Sequence, residues 1–64
     1  MNQLTLQNVQ HNLQVVYIPK TGPVETGVVK SWNHRYIFVN YFKDGQLQKT
    51  AQATDPKHLF INEN

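Results

Sequence analysis

Cysteine is absent from this chain of 64 residues, which excludes a disulfide framework and a thiolate zinc site. No apolar run approaches the roughly 20 residues that cross a bilayer. No basic start leads into an apolar stretch, as a signal peptide would require. A small soluble protein of the cytoplasm is the expectation, with no membrane partner. Charge is scarce as well: six basic and four acidic residues give a net charge of only +2. Six scattered cations make no arginine-rich arm.

Catalytic groups are equally few. Of the carboxylates Glu25, Asp44, Asp55 and Glu63, Asp44 and Asp55 have turn and cap roles, so no acid–base pair remains. No Ser-His-Asp signature or glycine-rich phosphate loop occurs, and a chain this short can hardly wall a cleft. His11, His34 and His58 are separated by 23 and 24 residues, which fits no compact ligand motif. The expectation is no catalytic residue, no metal and no cofactor.

What the chain does have is amides and rings. Seven Asn and seven Gln outnumber the ten charged residues, and seven aromatics accompany an apolar content of 39%. That content supports a compact core. A chain of this size nonetheless buries only about 60% of its unfolded surface, so the core is marginal. Residues 1–14 hold half of the amides and no side chain charged at neutral pH. Leu4 and Leu6 alternate as on a strand, whereas Leu6, Val9 and Leu13 follow a helical spacing. The conflict predicts a partly ordered N-terminal arm over residues 1–12.

From Leu13 to Ile18 the chain is β-branched and aromatic, ended by Pro19, and Lys20-Thr21-Gly22-Pro23 reads as a loop. A second strand runs from Glu25 to Trp32, and Asn33-His34-Arg35 forms a hairpin turn. Residues 36–42 make the strongest strand. Asp44-Gly45 has the chemistry of a tight primed turn. A fourth strand is predicted from Gln46 to Thr54, with Leu47, Ala51 and Ala53 on its core face. Gln46, Gln48, Thr50, Gln52 and Thr54 then form an uncharged outer face, which a partner or second copy could pair along if it is an edge. Asp55 caps one helical turn near residues 55–59, with Pro56 at its first position. Phe60-Ile61 is a last strand, and residues 62–64 are a polar tail. Five short strands in this order predict an all-β fold: a small antiparallel barrel over residues 13–61.

The ordered set Val15-Val16-Tyr17-Ile18-Pro19, Glu25-Thr26-Gly27-Val28-Val29, Tyr36-Ile37-Phe38-Val39-Asn40-Tyr41 and Thr50-Ala51-Gln52-Ala53-Thr54-Asp55-Pro56 with Leu59 resembles small phage and prophage proteins of unassigned function. More distantly it is similar to SH3-like barrels of the Tudor and KOW kind. The resemblance implies a five-stranded SH3-like barrel with a short 3-10 turn. It does not carry one function, because this fold hosts many. Tudor-type readers use converging rings around a cation. Here Trp32, Tyr36 and Phe42 lie at strand ends in a spacing that makes no cage by itself. KOW-type domains bring a basic loop to nucleic acid, and here the loops offer only Lys20, Arg35, Lys43 and Lys57.

In the third strand, Ile37, Val39 and Tyr41 share the core face, which sends Tyr36, Phe38, Asn40 and Phe42 outward. Interfaces favour Tyr, Trp, Phe and Arg, so Trp32, Arg35, Tyr36, Phe38 and Phe42 form the candidate protein-binding surface. The plainer account is that other parts of the fold cover this face. The alternative partner is RNA or DNA, bound by Lys20, Lys30, His34, Arg35, Lys43 and Lys57, with Trp32 and Tyr36 stacking on bases. The plainer account there is a polar hairpin tip and solvated lysines. The favoured expectation is a non-catalytic binding module, a phage-type adaptor or inhibitor engaging a host or phage protein. A homodimer is a further route to completing the marginal core.

Overall fold

The computed structural model of the protein describes residues 2–63, so Met1 of the expected arm and Asn64 of the expected tail lie outside the described residues. Val15-Val16 and the alternating Ile37-Phe38-Val39 run nucleate extended backbone, since β-branched and aromatic side chains suit a pleated, half-buried surface. Strands β1 (Gln14–Tyr17), β2 (Glu25–Trp32) and β3 (Ile37–Lys43) form an antiparallel meander. Two short strands, β4 (Gln46–Leu47) and β5 (Gln52–Thr54), both pair with β3. A 3-10 turn (Pro56–His58) leads into β6 (Leu59–Ile61), which returns to pair with β1. The fold is all-β, one sheet of six antiparallel strands ordered β4-β3-β2-β1-β6, with β5 also on β3.

The turns follow their residue chemistry. Asp44 and Gly45 have φ of 52° and 77°, the left-handed backbone that a primed hairpin turn needs and that Gly and Asp tolerate. At the β2–β3 hairpin, Asn33 Oδ1 accepts from the backbone N–H of both Arg35 and Tyr36 at 2.8 Å. Asp55 is the N-cap of the 3-10 turn, accepting from Lys57 N at 3.0 Å, and Pro56 occupies its start.

One face of the sheet is dry. Val15, Val29, Ile37, Val39 and Leu59 are fully buried, and Tyr41 joins them. Ile37, Val39 and Tyr41 thus occupy the core phase of β3, as their alternation implies. Gly27 stands directly between Val15 and Tyr41 in the register. A Cβ there would lie 2.6 Å from Val39 Cγ1 and 2.7 Å from the Asn40 carbonyl oxygen, so β2 and β3 approach as closely as they do because this residue has no side chain.

Two parts of the fold differ from the sequence expectation. Residues 2–12 are built into the core: Leu4 is 1% and Val9 8% exposed. Residues 2–4 run beside β6, with Gln3 bridging Phe60, Leu4 N donating to Leu59 O at 2.9 Å and Ile61 N to Asn2 O at 2.7 Å. Residues 6–8 then turn, so a strand-like start meets a tight bend. That mixture is why neither period holds across the segment. Further on, Asn12 N donates to Val29 O and Val29 N to Leu13 O, both at 2.9 Å, fastening the end of the segment to β2.

The second difference is the expected strand from Gln46 to Thr54. Phe42 faces Leu47, but Val39 faces Gln52, so two extra residues are looped out between β4 and β5. Asn40 Nδ2 donates to the carbonyls of Gln48 (3.1 Å) and Lys49 (3.3 Å), satisfying backbone groups that the interrupted ladder leaves free. The facing is the reverse of the expected one. Leu47 and Ala53 lie opposite Phe42 and Phe38 on the outer face, while Thr54 lies opposite Ile37 and is 7% exposed. Thr54 is tolerated inside because its hydroxyl is hydrogen-bonded there to Tyr41, which offsets the desolvation of both groups.

Candidate functional site

Direct cross-strand partners share a face of the sheet, which sorts the expected interface residues. Trp32 faces Ile37 and so belongs to the core phase, at the open end of the sheet. It is 36% exposed, and its ring packs on His11 with centroids 4.6 Å apart. His11 is anchored in turn, its Nδ1–H donating to Lys30 O at 2.7 Å. Arg35 lies over the Tyr36 ring at 5.1 Å, a cation–π contact within one hairpin. Trp32, Arg35 and Tyr36 therefore gather at the β2–β3 turn.

Phe38 and Phe42 belong to the outer face. Phe38 is half-buried, flanked by Ser31 on β2 and Ala53 on β5. Phe42 stands four residues further along, about 14 Å away at the usual rise of an antiparallel strand. It is 41% exposed beside Leu47, its partner on β4, at 48%. Asn40 with Val28 fills the row between them. The outer face of β3 is thus a continuous strip, apolar at both ends with one amide in the middle. The five expected residues divide between this strip and the hairpin cluster around Trp32.

The six residues expected at a nucleic-acid surface divide too. Lys30, His34 and Arg35 lie at the end of the sheet where β2 meets β3 through Asn33. Lys20, Lys43 and Lys57 lie toward the other end, on the β1–β2 loop, the end of β3 and the 3-10 turn. Lys57 Nζ is 3.9 Å from Asp55 Oδ2, an exposed pair. The edge formed by β4 and β5 has no strand partner among the described residues, whereas residues 2–4 cover β6.

A second feature has no counterpart in the sequence reading. Tyr17 at the end of β1, Glu25 at the start of β2, Tyr41 on β3, Gln52, Ala53 and Thr54 of β5, Asp55 after it, and His58 of the 3-10 turn surround a cavity of about 330 Å³. The Tyr17 ring meets Tyr41 edge to face at 5.9 Å and His58 likewise at 5.9 Å. Thr54 Oγ1–H donates to Gln52 O at 3.2 Å, so in the 2.8 Å contact with Tyr41 the phenol is the donor. Burial pushes the Tyr41 phenol above its ordinary value, against the lowering effect of the Thr54 hydrogen bond; Tyr17 and Glu25 add to the rise. The ring therefore remains a neutral donor. These residues span 41 positions of the chain, and the pairing of β1 with β2 and β6, and of β3 with β2 and β5, unites them. The signal available in the sequence was that Tyr17 and Tyr41 both carry a polar tip on a core phase.

Among the described residues no three His, Asp or Glu side chains are placed to hold a metal ion. No helix among them is long and apolar enough to cross a membrane. Compared with protein-family models, curated proteins and solved structures, the chain matches none.

Proposed function

We propose that the chain is a non-catalytic binding module, an SH3-like small barrel working in the host cytoplasm as a phage-type adaptor or inhibitor. It engages a protein partner through the outer face of β3 and β4. The observation that carries this reading is the exposed Phe42–Leu47 pair, two large apolar side chains side by side on a hydrogen-bonded sheet. Apolar surface held in that way marks docking sites in soluble proteins more often than isolated exposed residues do. Phe38 extends the strip, Arg35 and Tyr36 supply interface-type residues at its far end, and Trp32 stands beside them at the same hairpin on the core phase. The strand order supports the barrel: the last strand, after a 3-10 turn, returns to the first.

Binding of RNA or DNA is the competing outcome. Dispersal of the cations to two ends of the sheet weighs against one phosphate-tracking surface. The test is capture from host lysate with and without nuclease, using the parent and the Phe42→Ala/Leu47→Ala variant. A nuclease-resistant protein partner that the variant loses, while its melting temperature stays within about 3 °C of the parent, supports the proposal. Capture that nuclease abolishes, or that both proteins show equally, overturns it. The solution mass in the same buffer tells whether the partner is a second copy.

A further inference from the structure

We infer that the cavity at the interruption between β4 and β5 binds the phosphate group of a small hydroxylated molecule, a sugar phosphate, between Lys43 and Lys49. The site goes beyond the docking strip and does not rest on it. Lys43 pairs with Gln46 and Phe42 with Leu47, so these two rows point to opposite faces of the sheet.

The backbone is the first argument. Asn40 Nδ2 donates to two successive carbonyls, those of Gln48 and Lys49. Each peptide is trans, and the N–H of such a plane points away from its C=O. The N–H groups of Lys49 and Thr50 are therefore turned together to the side opposite the Asn40 amide, and neither has a partner among the described residues. Asn40 shares the outer face with Phe38 and Phe42, so both N–H groups turn toward the face of Lys43 and Gln46, which line the cavity. Successive N–H groups aimed one way form a concavity that holds anions.

Charge is the second. Lys43 and Lys49 line this cavity of about 460 Å³, and no carboxylate or aromatic ring does. Asp44 belongs to the adjoining turn and is not part of the lining. The ion pair among the described residues is that of Lys57 with Asp55, so neither cavity ammonium is spent on an internal carboxylate.

The donor set selects the anion. Two ammonium groups and two backbone N–H groups, drawn from the strand end and from the loop, suit the tetrahedral oxygens of a phosphate, which lysine binds as a point charge. A carboxylate is planar and is matched by the arginine fork, which this cavity lacks. The volume lies within the range of small-molecule sites and exceeds what a phosphate alone would fill. The rest of the wall is mainly Gln46, Gln48, Thr50 and Gln52, with Leu47 the one apolar contribution. Amides and a hydroxyl both donate and accept, as sugar hydroxyls do. Without a ring to stack on, a nucleobase has no place there.

The experiment is an NMR titration of the full chain with glucose 6-phosphate, at about pH 7.5 and constant ionic strength. The comparisons are inorganic phosphate, glucose, acetate and an oligothymidylate without a terminal phosphate. Saturable shifts centred on the Lys49 and Thr50 amides are expected with glucose 6-phosphate. Inorganic phosphate is expected to bind about threefold more weakly or worse, for want of the hydroxyl contacts, and glucose and acetate to give no saturable shift. Lys43→Gln and Lys49→Gln, both exposed changes, are each expected to weaken binding about two- to fivefold, the range of an exposed ion pair. Lys20→Gln and Phe42→Ala are expected to leave it unchanged. No saturable shift with glucose 6-phosphate, equal affinity for inorganic phosphate or acetate, or an unchanged affinity in a folded Lys43→Gln/Lys49→Gln protein would each overturn the inference. Shifts of the same amides by the oligothymidylate at lower concentration would also overturn it, assigning the site to a nucleic-acid backbone.

Discussion

Replacing Leu4 by alanine tests whether the N-terminal segment is a working part of the core. Leu4 is 1% exposed and belongs to the same cluster as Val15, Val29, Ile37, Val39 and Leu59. Truncating a buried leucine costs about 2–5 kcal/mol, through lost transfer energy and the cavity left behind. Leu4 lies on a segment tied to the sheet by a single isolated bridge, where the backbone can collapse partway into the gap, so the lower half of that range, about 2–3 kcal/mol, applies. Its backbone bond to Leu59 O and the Gln3 side-chain bonds to Pro56 O and Leu59 O oppose full collapse. At about 0.05–0.15 kcal/mol per residue, a chain of this length has a total stability of about 3–10 kcal/mol. The loss is therefore a large fraction of the whole. At roughly 4–8 °C per kcal/mol for so small a domain, the melting temperature should fall by about 10–20 °C. Circular dichroism melts and urea titrations measure it, with Gln7→Ala, an exposed change on the same segment, as the control. A Leu4→Ala protein melting within about 2 °C of the parent would refute the packing described for residues 2–12.

Gly27→Ala forces a methyl group to within 2.6 Å of Val39 Cγ1 and 2.7 Å of the Asn40 carbonyl. Because one of the two is backbone, a loss of about 1–3 kcal/mol is expected in urea titration. Gly45→Ala at φ 77°, with nothing near its added methyl, isolates backbone strain of about 1 kcal/mol. Tyr41→Phe removes the donor to Thr54 and should cost about 1 kcal/mol at neutral pH. The folded protein also holds the Tyr41 phenol above its ordinary value. Its contribution is thus complete below the unfolded value near 10 and lost as pH rises through the folded one. The parent should lose stability above about pH 10 more steeply than Tyr41→Phe in melts across pH 8–11, and parallel curves would contradict this. Asp55→Ala removes the acceptor at the start of the 3-10 turn, with an expected loss of about 1 kcal/mol.

Much of the fold was legible because local chemistry and tertiary structure agree. The bounds of β2, the core phase of β3, the Asp44-Gly45 turn and the Asp55-Pro56 cap each rest on one residue type doing one local job. The strand from Gln46 to Thr54 misled because strict alternation assumes an unbroken ladder. Two looped-out residues and the Asn40 amide that holds them are tertiary facts. Residues 2–12 misled for the opposite reason. They mix a strand pairing, a side-chain-bonded bend and a left-handed Asn12 at φ 66°, and no single period describes three local structures in so few residues. The candidate strip was half legible, since alternation exposes Phe38 and Phe42 but cannot show that Leu47 joins them. The Tyr17–Tyr41–His58 cavity depends on β6 closing against β1 and was out of reach.

The surplus of amides acquires a physical cause from the same contacts. Without cysteine, a domain of this length must bury most of its few large apolar side chains, and residues 2–12 contribute Leu4 and Val9 to that core. That arrangement leaves bends whose backbone groups need partners. Amides supply them neutrally. Asn8 Oδ1 accepts from Thr5 N at 2.8 Å and its Nδ2 donates to Gln3 O at 3.2 Å. Gln3 Nε2 reaches Pro56 O and Leu59 O, and Asn33 and Asn40 serve the two irregular parts of the meander. An amide side chain both donates and accepts, so one residue can close a bend from either direction. Gln3, Asn8, Asn33 and Asn40 thus each close a bend or an interrupted ladder with a neutral side chain.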